Sequence, residues 1–452
     1  MSQFDIAASI SRSALDKLLG DLFKTEAARQ KLFAYSGKEA IGDFGEVKYT
    51  ITVNQAPTMR LVFPDAGEWQ KAVNPKKVPK PMDNAIQLIM EAFTFSLSID
   101  NGASSTHTGK ISLFGELVTT DAANPYLQVD AAYIETKFSR LDKYVVNKQI
   151  IPRVLEMANK LLKTVVIPAV PAVAGLEFRP VQLKVVDDGI IAATSLTSSP
   201  ETIIHDMAVE NGIFINVTNT IPNTLFKENV NGKKQSEADR VGPKDWYAAY
   251  KVSVVVNHAE LIISPDNVVF TLHIGEPEGT AEVGGTGVGV TKTVLCPIAT
   301  AFDAIADPDN WDKIIGSIGF TINPLPIAIP STISITHATV KQGGEDVTVQ
   351  QAHLTVNEVS SFHVLAQPKW ADSVSGAIIA AATSMLTDLL PTVLQTLIVN
   401  KIAKTVFGDV CLYTIPPLTA TTEGVTVTLK VVEGTVKTVA GMLKNELKMA
   451  IS

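Results

Sequence analysis

The chain has 452 residues, too many for one ordinary core. It is 46% hydrophobic and only 19% charged, with mean hydropathy +0.20, where about a quarter charged is usual. A net charge of -8 argues against nucleic acid, which needs a basic face, and against tight binding to anionic membranes. It leaves at most peripheral membrane contact through local basic loops.

The first residues, MSQFDIAASISRSALDKLL, lack a basic stretch followed by an apolar one. They do not read as a signal peptide. The expected location is therefore the cytoplasm, or outside the cell by a non-classical route. Residues 10–19, ISRSALDKLL, read as a strand running into a short helix, with Ser13 as the expected N-cap. NPKKVPKP, residues 74–81, reads as a solvated loop.

Next comes period-two alternation. Phe93, Phe95, Leu97 and Ile99 share one face of AFTFSLSID. NGASSTHTG follows as a turn, then a strand carrying Ile111 and Leu113. Residues 140–166 predict a long helix. Its broad apolar stripe contains Val154, Leu155, Ala158, Leu161, Leu162 and Val165, and Pro152 kinks it or starts a second segment. The charges along it, Arg140 to Lys163, exclude a membrane span. A Pro-rich stretch and the turn Asp188-Gly189 lead into another strand. Polar turn formers over 198–212 mark a boundary between modules 1–205 and 206–452.

The second module opens on VTNTIPNTLF, residues 217–226, again a strand and a short helix. Thr220 is the expected cap and Pro222 falls in the first turn. A polar loop (227–246) follows. Val252, Val254 and Val256 then share a strand face, and Pro265-Asp266-Asn267 turns the chain into Val268 to Ile274. GGTGVGVTKT, residues 284–293, lacks the Gly-Lys-Ser/Thr ending of a phosphate loop. IGSIG, residues 315–319, lacks the nucleophile-elbow spacing. The seven histidines form no metal-ligand pattern, and Cys296 and Cys411 form no C-x-x-C. No acid/base pair or nucleophile constellation emerges, so no enzyme, catalytic residue, metal or cofactor is expected. STISITHATV, residues 331–340, alternates as another strand.

Residues 376–399 form an apolar run containing Ile378, Leu386, Leu390 and Leu394. By length it reaches a membrane span, but Asp388 and Pro391 lie near its middle. Its context decides the reading. IIPRVLE and NKLLKTVV, residues 150–156 and 159–166, match LLPTVLQ and NKIAKTVF, residues 389–395 and 400–407. Each is followed by a Pro-rich turn and a strand, and Asp188-Gly189 matches Glu423-Gly424. The second run is thus the twin of a charged helix, and its expected place is inside its own sheet.

With ISRSALDKLL and VTNTIPNTLF opening the halves, and these helix phrases closing them, the order resembles the tubular lipid-binding superfamily. The relevant type is the tandem-domain one of bactericidal/permeability-increasing proteins and clostridial toxin-cluster accessory proteins. The resemblance implies an α+β fold of two tandem modules, each a long helix wrapped by a highly curved antiparallel sheet. It also implies apolar tubes for lipid or fatty-acyl chains, with lipid transfer as one use. The expected lining is Phe93, Phe95, Leu97, Ile99, Val154, Leu155, Leu161, Leu162 and Val165 in the first module. In the second it is Val252, Val254, Ile378, Leu386, Leu390 and Leu394. The competing expectation is a structural or interaction protein, with a protein partner or a second copy, that keeps the fold without a ligand.

Overall fold

The computed structural model describes residues 3–285, 316–357, 366–369 and 410–451. Short gaps within these ranges fall at 41–44, 63, 65, 78–83, 100–103, 120–124, 138–139, 166, 168–169, 172, 174, 187, 205–208, 230, 242–245, 276–277, 323–325, 343–344 and 416. Strand β1 (Ile6–Ser11) runs into helix α1 (Arg12–Lys24) and then α2 (Glu26–Leu32). Ser11 caps α1: it is extended, and its hydroxyl accepts from the Ala14 N–H at 3.2 Å. The expected cap, Ser13, lies inside the helix, because the strand passes into the helix two residues earlier than the pattern suggested.

Strands β2 (Ala34–Ala40), β3 (Glu46–Val53), β4 (Thr58–Arg60), β5 (Ala85–Ile99), β6 (Ser104–Val118) and β7 (Tyr126–Glu135) form a six-stranded antiparallel sheet. Its order is β2-β3-β5-β6-β7, with β4 on β5, and helix α3 (Ala66–Lys71) sits between β4 and β5 in sequence. NGASSTHTG is shorter as a turn than expected, since Ser104–Gly109 already pair with Phe93–Ser98 in β6. The sheet here extends past the core, so a strand of Ser and Thr meets water on its outer face at no cost.

The chain then forms α4 (Arg140–Val145), a π-helical turn (Val146–Ile150) and α5 (Ile151–Leu162) in one continuous run. Pro152 explains the π turn. It donates no N–H, and its ring clashes with the carbonyl four residues back in a regular helix. Widening the turn, with the Ile151 N–H bonded to the Val146 carbonyl, accommodates it. Strands β8 (Gln182–Val186) and β9 (Gly189–Thr194) close this half.

The second half repeats the opening with β10 (Ile213–Thr218) and α6 (Thr220–Asn229). Thr220 is the first helical residue and Asn219 precedes it, so Thr220 is not the cap; Pro222 does lie in the first turn. A nine-stranded antiparallel sheet follows. It contains β11 (Lys234–Val241), β12 (Trp246–Ser264), β13 (Asn267–Ile274), β14 (Glu278–Gly285), β15 (Gly316–Ile322), β16 (Pro326–Gln342), β17 (Glu345–Val356), β18 (Ala366–Lys369) and β19 (Val410–Ile415). Last come β20 (Leu418–Thr422), β21 (Val425–Val439) and β22 (Met442–Ile451).

A third, seven-stranded sheet joins the halves in the order β20-β21-β22-β10-β1-β9-β8. The first strands of the halves, β1 and β10, pair antiparallel at its centre, Ile6 opposite Val217 and Ile10 opposite Ile213. The last strand of each half lies beside its own first strand: β9 on β1, β22 on β10. This corrects one equivalence. The hairpin at Asp188-Gly189 corresponds to the β21–β22 hairpin, not to Glu423-Gly424, which turns one strand further out.

The fold is α+β with curved antiparallel sheets. The curvature has a local cause, because bulges insert one extra residue and sharpen the twist. On β5, Ile86, Leu88 and Met90 face inward; after the irregularity at Glu91 and Ala92, Phe93, Phe95 and Leu97 do. On β12 the inward set changes from Val254 and Val256 to Ala259, Leu261 and Ile263 across Asn257. On β7 the extra residue is Asp130. Here the Asn159 side chain of α5 clamps the bulge, its amide donating to the Val129 carbonyl at 2.9 Å and accepting from the Val129 N–H at 2.8 Å. Asn159→Ala strands both groups, and the expected loss is about 2–4 kcal/mol in urea denaturation. A loss below about 1 kcal/mol would show that the clamp is incidental.

Helix α1 is tied to β4 by the Met59 N–H, which donates to the Asp16 carboxylate at 2.7 Å. Burial raises the Asp16 pKa against that bond and the Arg12 charge. The folded state therefore holds this proton more tightly than the unfolded chain, and stability falls as pH rises through the Asp16 titration. Asp16→Asn keeps an acceptor and removes the buried charge. We expect it to be more stable than the parent at pH 7, the gap closing as pH drops below that titration. A constant gap across the pH series would contradict this.

Candidate functional site: two apolar interiors

The first interior lies between the helix and the six-stranded sheet. Val154, Leu161 and Leu162 are 0% exposed and Leu155 is 7%, while Phe93 and Phe95 are 1% and Leu97 is 4%. These seven belong to one cluster, with Val165 partly buried against it. Thus the structure brings together most of the expected first lining. Backbone pairing places Ile99 opposite Val47, and its side chain lies outside the described set. Val145, Val146 and Ile150 of the upstream helix complete the wall. The cluster also includes Val425 and Val427, contributed by β21 from the other half. No local pattern in the sequence signals that crossing.

The outer face of α5 is held by charge. Arg153 donates to Glu39 at 2.9 Å and to Glu156 at 3.0 Å. These bonds raise the Arg153 pKa, Glu39 contributing most, and the Arg153 bond is the main cause holding the Glu156 carboxyl low. Lys160 reaches Glu423 at 3.0 Å, tying the helix to the β20–β21 turn. That turn has positive φ at both Glu423 (50°) and Gly424 (69°), as a tight hairpin requires.

The second interior is walled by β12, β13, β16, β17 and β19 on one side and the central sheet on the other. Its cluster includes Val254, Val256, Leu261, Phe270, Leu272, Ile329 and Leu354, with Ile6, Ile215, Val217, Leu443 and Leu447 from the central sheet. Val173 of the first half joins it, so each half contributes to the other's core. Val254 belongs to this cluster. Val252 lies on β12, its side chain outside the described set, and Ile378, Leu386, Leu390 and Leu394 lie outside the described residues. The apolar run at 376–399 does too; among the described residues no helix is long and apolar enough to cross a membrane.

Among the described residues, the only charged side chains counted as buried are Asp5 and Asp130, and neither belongs to either cluster. Polar residues do enter the second: Asn445 is 0% exposed and Tyr413 is 1%. Among the described residues no group of three His, Cys, Asp or Glu side chains is placed to hold a metal ion. Cys411 lies half-buried on β19, and Cys296 lies outside the described residues.

A pocket of about 470 Å³ lies on the outer side of the first sheet, backing onto the chain at Leu97. Ser36, Thr50, Ser96 and Thr106 form one cross-strand row in it, and Lys38 opposes Lys48 in the next. Glu46 lies between those lysines, 3.2 Å from Lys38 and 3.7 Å from Lys48. Alternation along β5 puts this trough and the Phe93–Leu97 wall on opposite faces of the same strands.

A helix and curved antiparallel sheets define an α+β protein whose two main apolar clusters, among the described residues, share a central sheet. No family model matches the chain, and no curated protein matches it. Two solved structures are distantly similar along nearly the whole length. One is a lipopolysaccharide binding protein, at 9% identity and TM-score 0.39, covering 99% of each chain. The other is P47 of Clostridium botulinum E1, at 8% identity and TM-score 0.44, covering 99% of this chain and 100% of that one. At these scores the likeness carries no argument, so any functional reading stands on the residues above.

Proposed function

We propose that the protein is a non-catalytic binder of lipid or another apolar ligand, held in one or both interiors, with transfer between surfaces as the natural use. The supporting observation is the pairing of a long helix and a curved sheet across a largely apolar seam, Val154, Leu155, Leu161 and Leu162 against Phe93, Phe95 and Leu97. An acyl chain entering such a seam gains about 0.8 kcal/mol per buried CH₂. Its affinity is then set by apolar area and shape rather than by any one side chain. Native mass spectrometry and organic extraction of the purified chain test this. Co-purifying lipid of defined chain length is the expected result, and lipid-free protein from several sources would count against it.

A second reading has its own support. The first interior is already filled by its own side chains, exposed by 0–7%. A fold complete without ligand suits a structural or interaction protein, and lipid-free protein that captures a protein partner from its native source would favour it.

A further inference from the structure

The inner face of β22 is where the second interior departs from hydrocarbon. Leu443, Asn445 and Leu447 point the same way, and Asn445 is 0% exposed between two leucines that belong to the core. Its amide nitrogen donates to the Tyr413 hydroxyl and, at 3.3 Å, to the Ile215 carbonyl. Its carbonyl oxygen is buried with no hydrogen-bond partner among the described residues. Tyr413, 1% exposed on β19, accepts from Asn445, and its own phenolic proton is directed at no acceptor among the described residues. Burial raises the Tyr413 pKa, so the phenol stays a donor.

Turning the Asn445 amide over does not remove the problem. The oxygen would then face the Ile215 carbonyl, and the NH₂ group would take the orphaned position. One end of the amide is unsatisfied either way. Native interiors leave few such groups, and each calls for a cause. A leucine at 445 would continue the apolar pattern set by its neighbours, but it would strand the buried Tyr413 hydroxyl; only replacing both residues removes every unpaired group.

We propose that Asn445 and Tyr413 form an uncharged anchor for the head of an apolar ligand in the second interior. The ligand is a long-chain molecule ending in a hydroxyl or a similar uncharged donor–acceptor group. This rests on the apolar-ligand reading above and adds the chemistry of the head. A ligand hydroxyl satisfies both orphans at once, donating to the Asn445 oxygen and accepting from the Tyr413 O–H. A phosphate or carboxylate head is disfavoured, because no charged side chain is buried in this core among the described residues. An unpaired charge there costs far more than an unpaired amide.

The test is direct binding of radiolabelled hexadecane, hexadecan-1-ol and hexadecyl phosphate to the delipidated full chain, its Asn445→Leu variant and its Tyr413→Phe variant. The parent should prefer the alcohol over the alkane by about tenfold, roughly one hydrogen bond's worth. Asn445→Leu should reduce that preference to within about twofold, and Tyr413→Phe should weaken it. Without ligand, the double variant Asn445→Leu/Tyr413→Phe should melt higher than Asn445→Leu alone, since the single change strands the buried phenol and the double change removes it. If Asn445→Leu does not fold, Tyr413→Phe decides. Equal binding of alcohol and alkane, or strongest binding of the phosphate, overturns the anchor and leaves the apolar-ligand reading standing. Binding of none of the three overturns that reading, and the anchor with it.

Discussion

Gly115→Ala should unfold the first half at markedly lower urea than the parent, losing at least about 3 kcal/mol. A Cβ at this position would lie 1.7 Å from the Gln128 carbonyl oxygen and 2.6 Å from the Val129 Cα. Both are backbone atoms, so no rotamer change relieves the contact. They also belong to the bulge at Asp130, where Gly115 pairs with Val129 and Phe114 with Ala131. Moving β7 away would pull Val129 off Asn159 and open the seam between α5 and the sheet. The built-in control is Gly20→Ala in α1, where an added Cβ meets nothing within 4 Å. That change should stabilise by about 0.5–1 kcal/mol through helix propensity. If both variants denature together with the parent, the β6–β7 register described here is wrong.

Much of the first interior was legible because its signals are local. The helix stripe Val154 to Leu162 and the alternation Phe93-Phe95-Leu97 both point to faces that meet in one core. The bulge in β5 was not read from the alternation of Phe93 to Ile99, but it leaves a trace in the longer stretch. In AIQLIMEAFTFSLSI the apolar phase moves from Ile86, Leu88 and Met90 to Phe93, Phe95 and Leu97, and a strand can change phase only by inserting a residue. What was not legible depends on the whole chain. Ser11 rather than Ser13 caps α1 because the strand–helix join is set by the pairing of β1 with β9 and β10, not by the helix itself. Val425 and Val427 enter the first core from the far end of the sequence, and Val173 enters the second. The pairing of Asn445 with Tyr413 joins residues 32 apart from different sheets, and no spacing rule anticipates it.

The strand–helix opening that recurs at β1–α1 and β10–α6 gains a physical account from the central sheet. Strands β1 and β10 run antiparallel at its middle, so the two openings are related by an approximate two-fold turn. The same face of that sheet serves both cores: Ile6 and Ala8 of β1 lie in the second, and Ile10 in the first. The first half thus finishes part of the second core, and β21 finishes part of the first. A change at this junction should destabilise both interiors, whereas a change on α5 acts on one.

Phe95→Ala is the second large expected effect, and it separates the two functional readings. Phe95 is 1% exposed, its ring stacked on His107 at 6.1 Å between centroids, within the cluster that holds Leu161 and Leu162. Truncating a buried Phe removes its transfer energy and leaves a cavity, so the expected loss is about 3–5 kcal/mol. An apolar cavity of this kind stays dry and accepts small apolar molecules. If the seam between α5 and the sheet opens to apolar ligands, a saturating alkane should return part of the loss, about 2.7 kcal/mol at a hundred times its dissociation constant. The parent, filled by Phe95, should gain less from the same alkane, because the ligand must first displace the ring. Recovery in the variant and a smaller gain in the parent would show an interior that exchanges its contents. A variant that loses the full 3–5 kcal/mol and recovers none of it would show a core closed to ligands, as the interaction-protein reading requires.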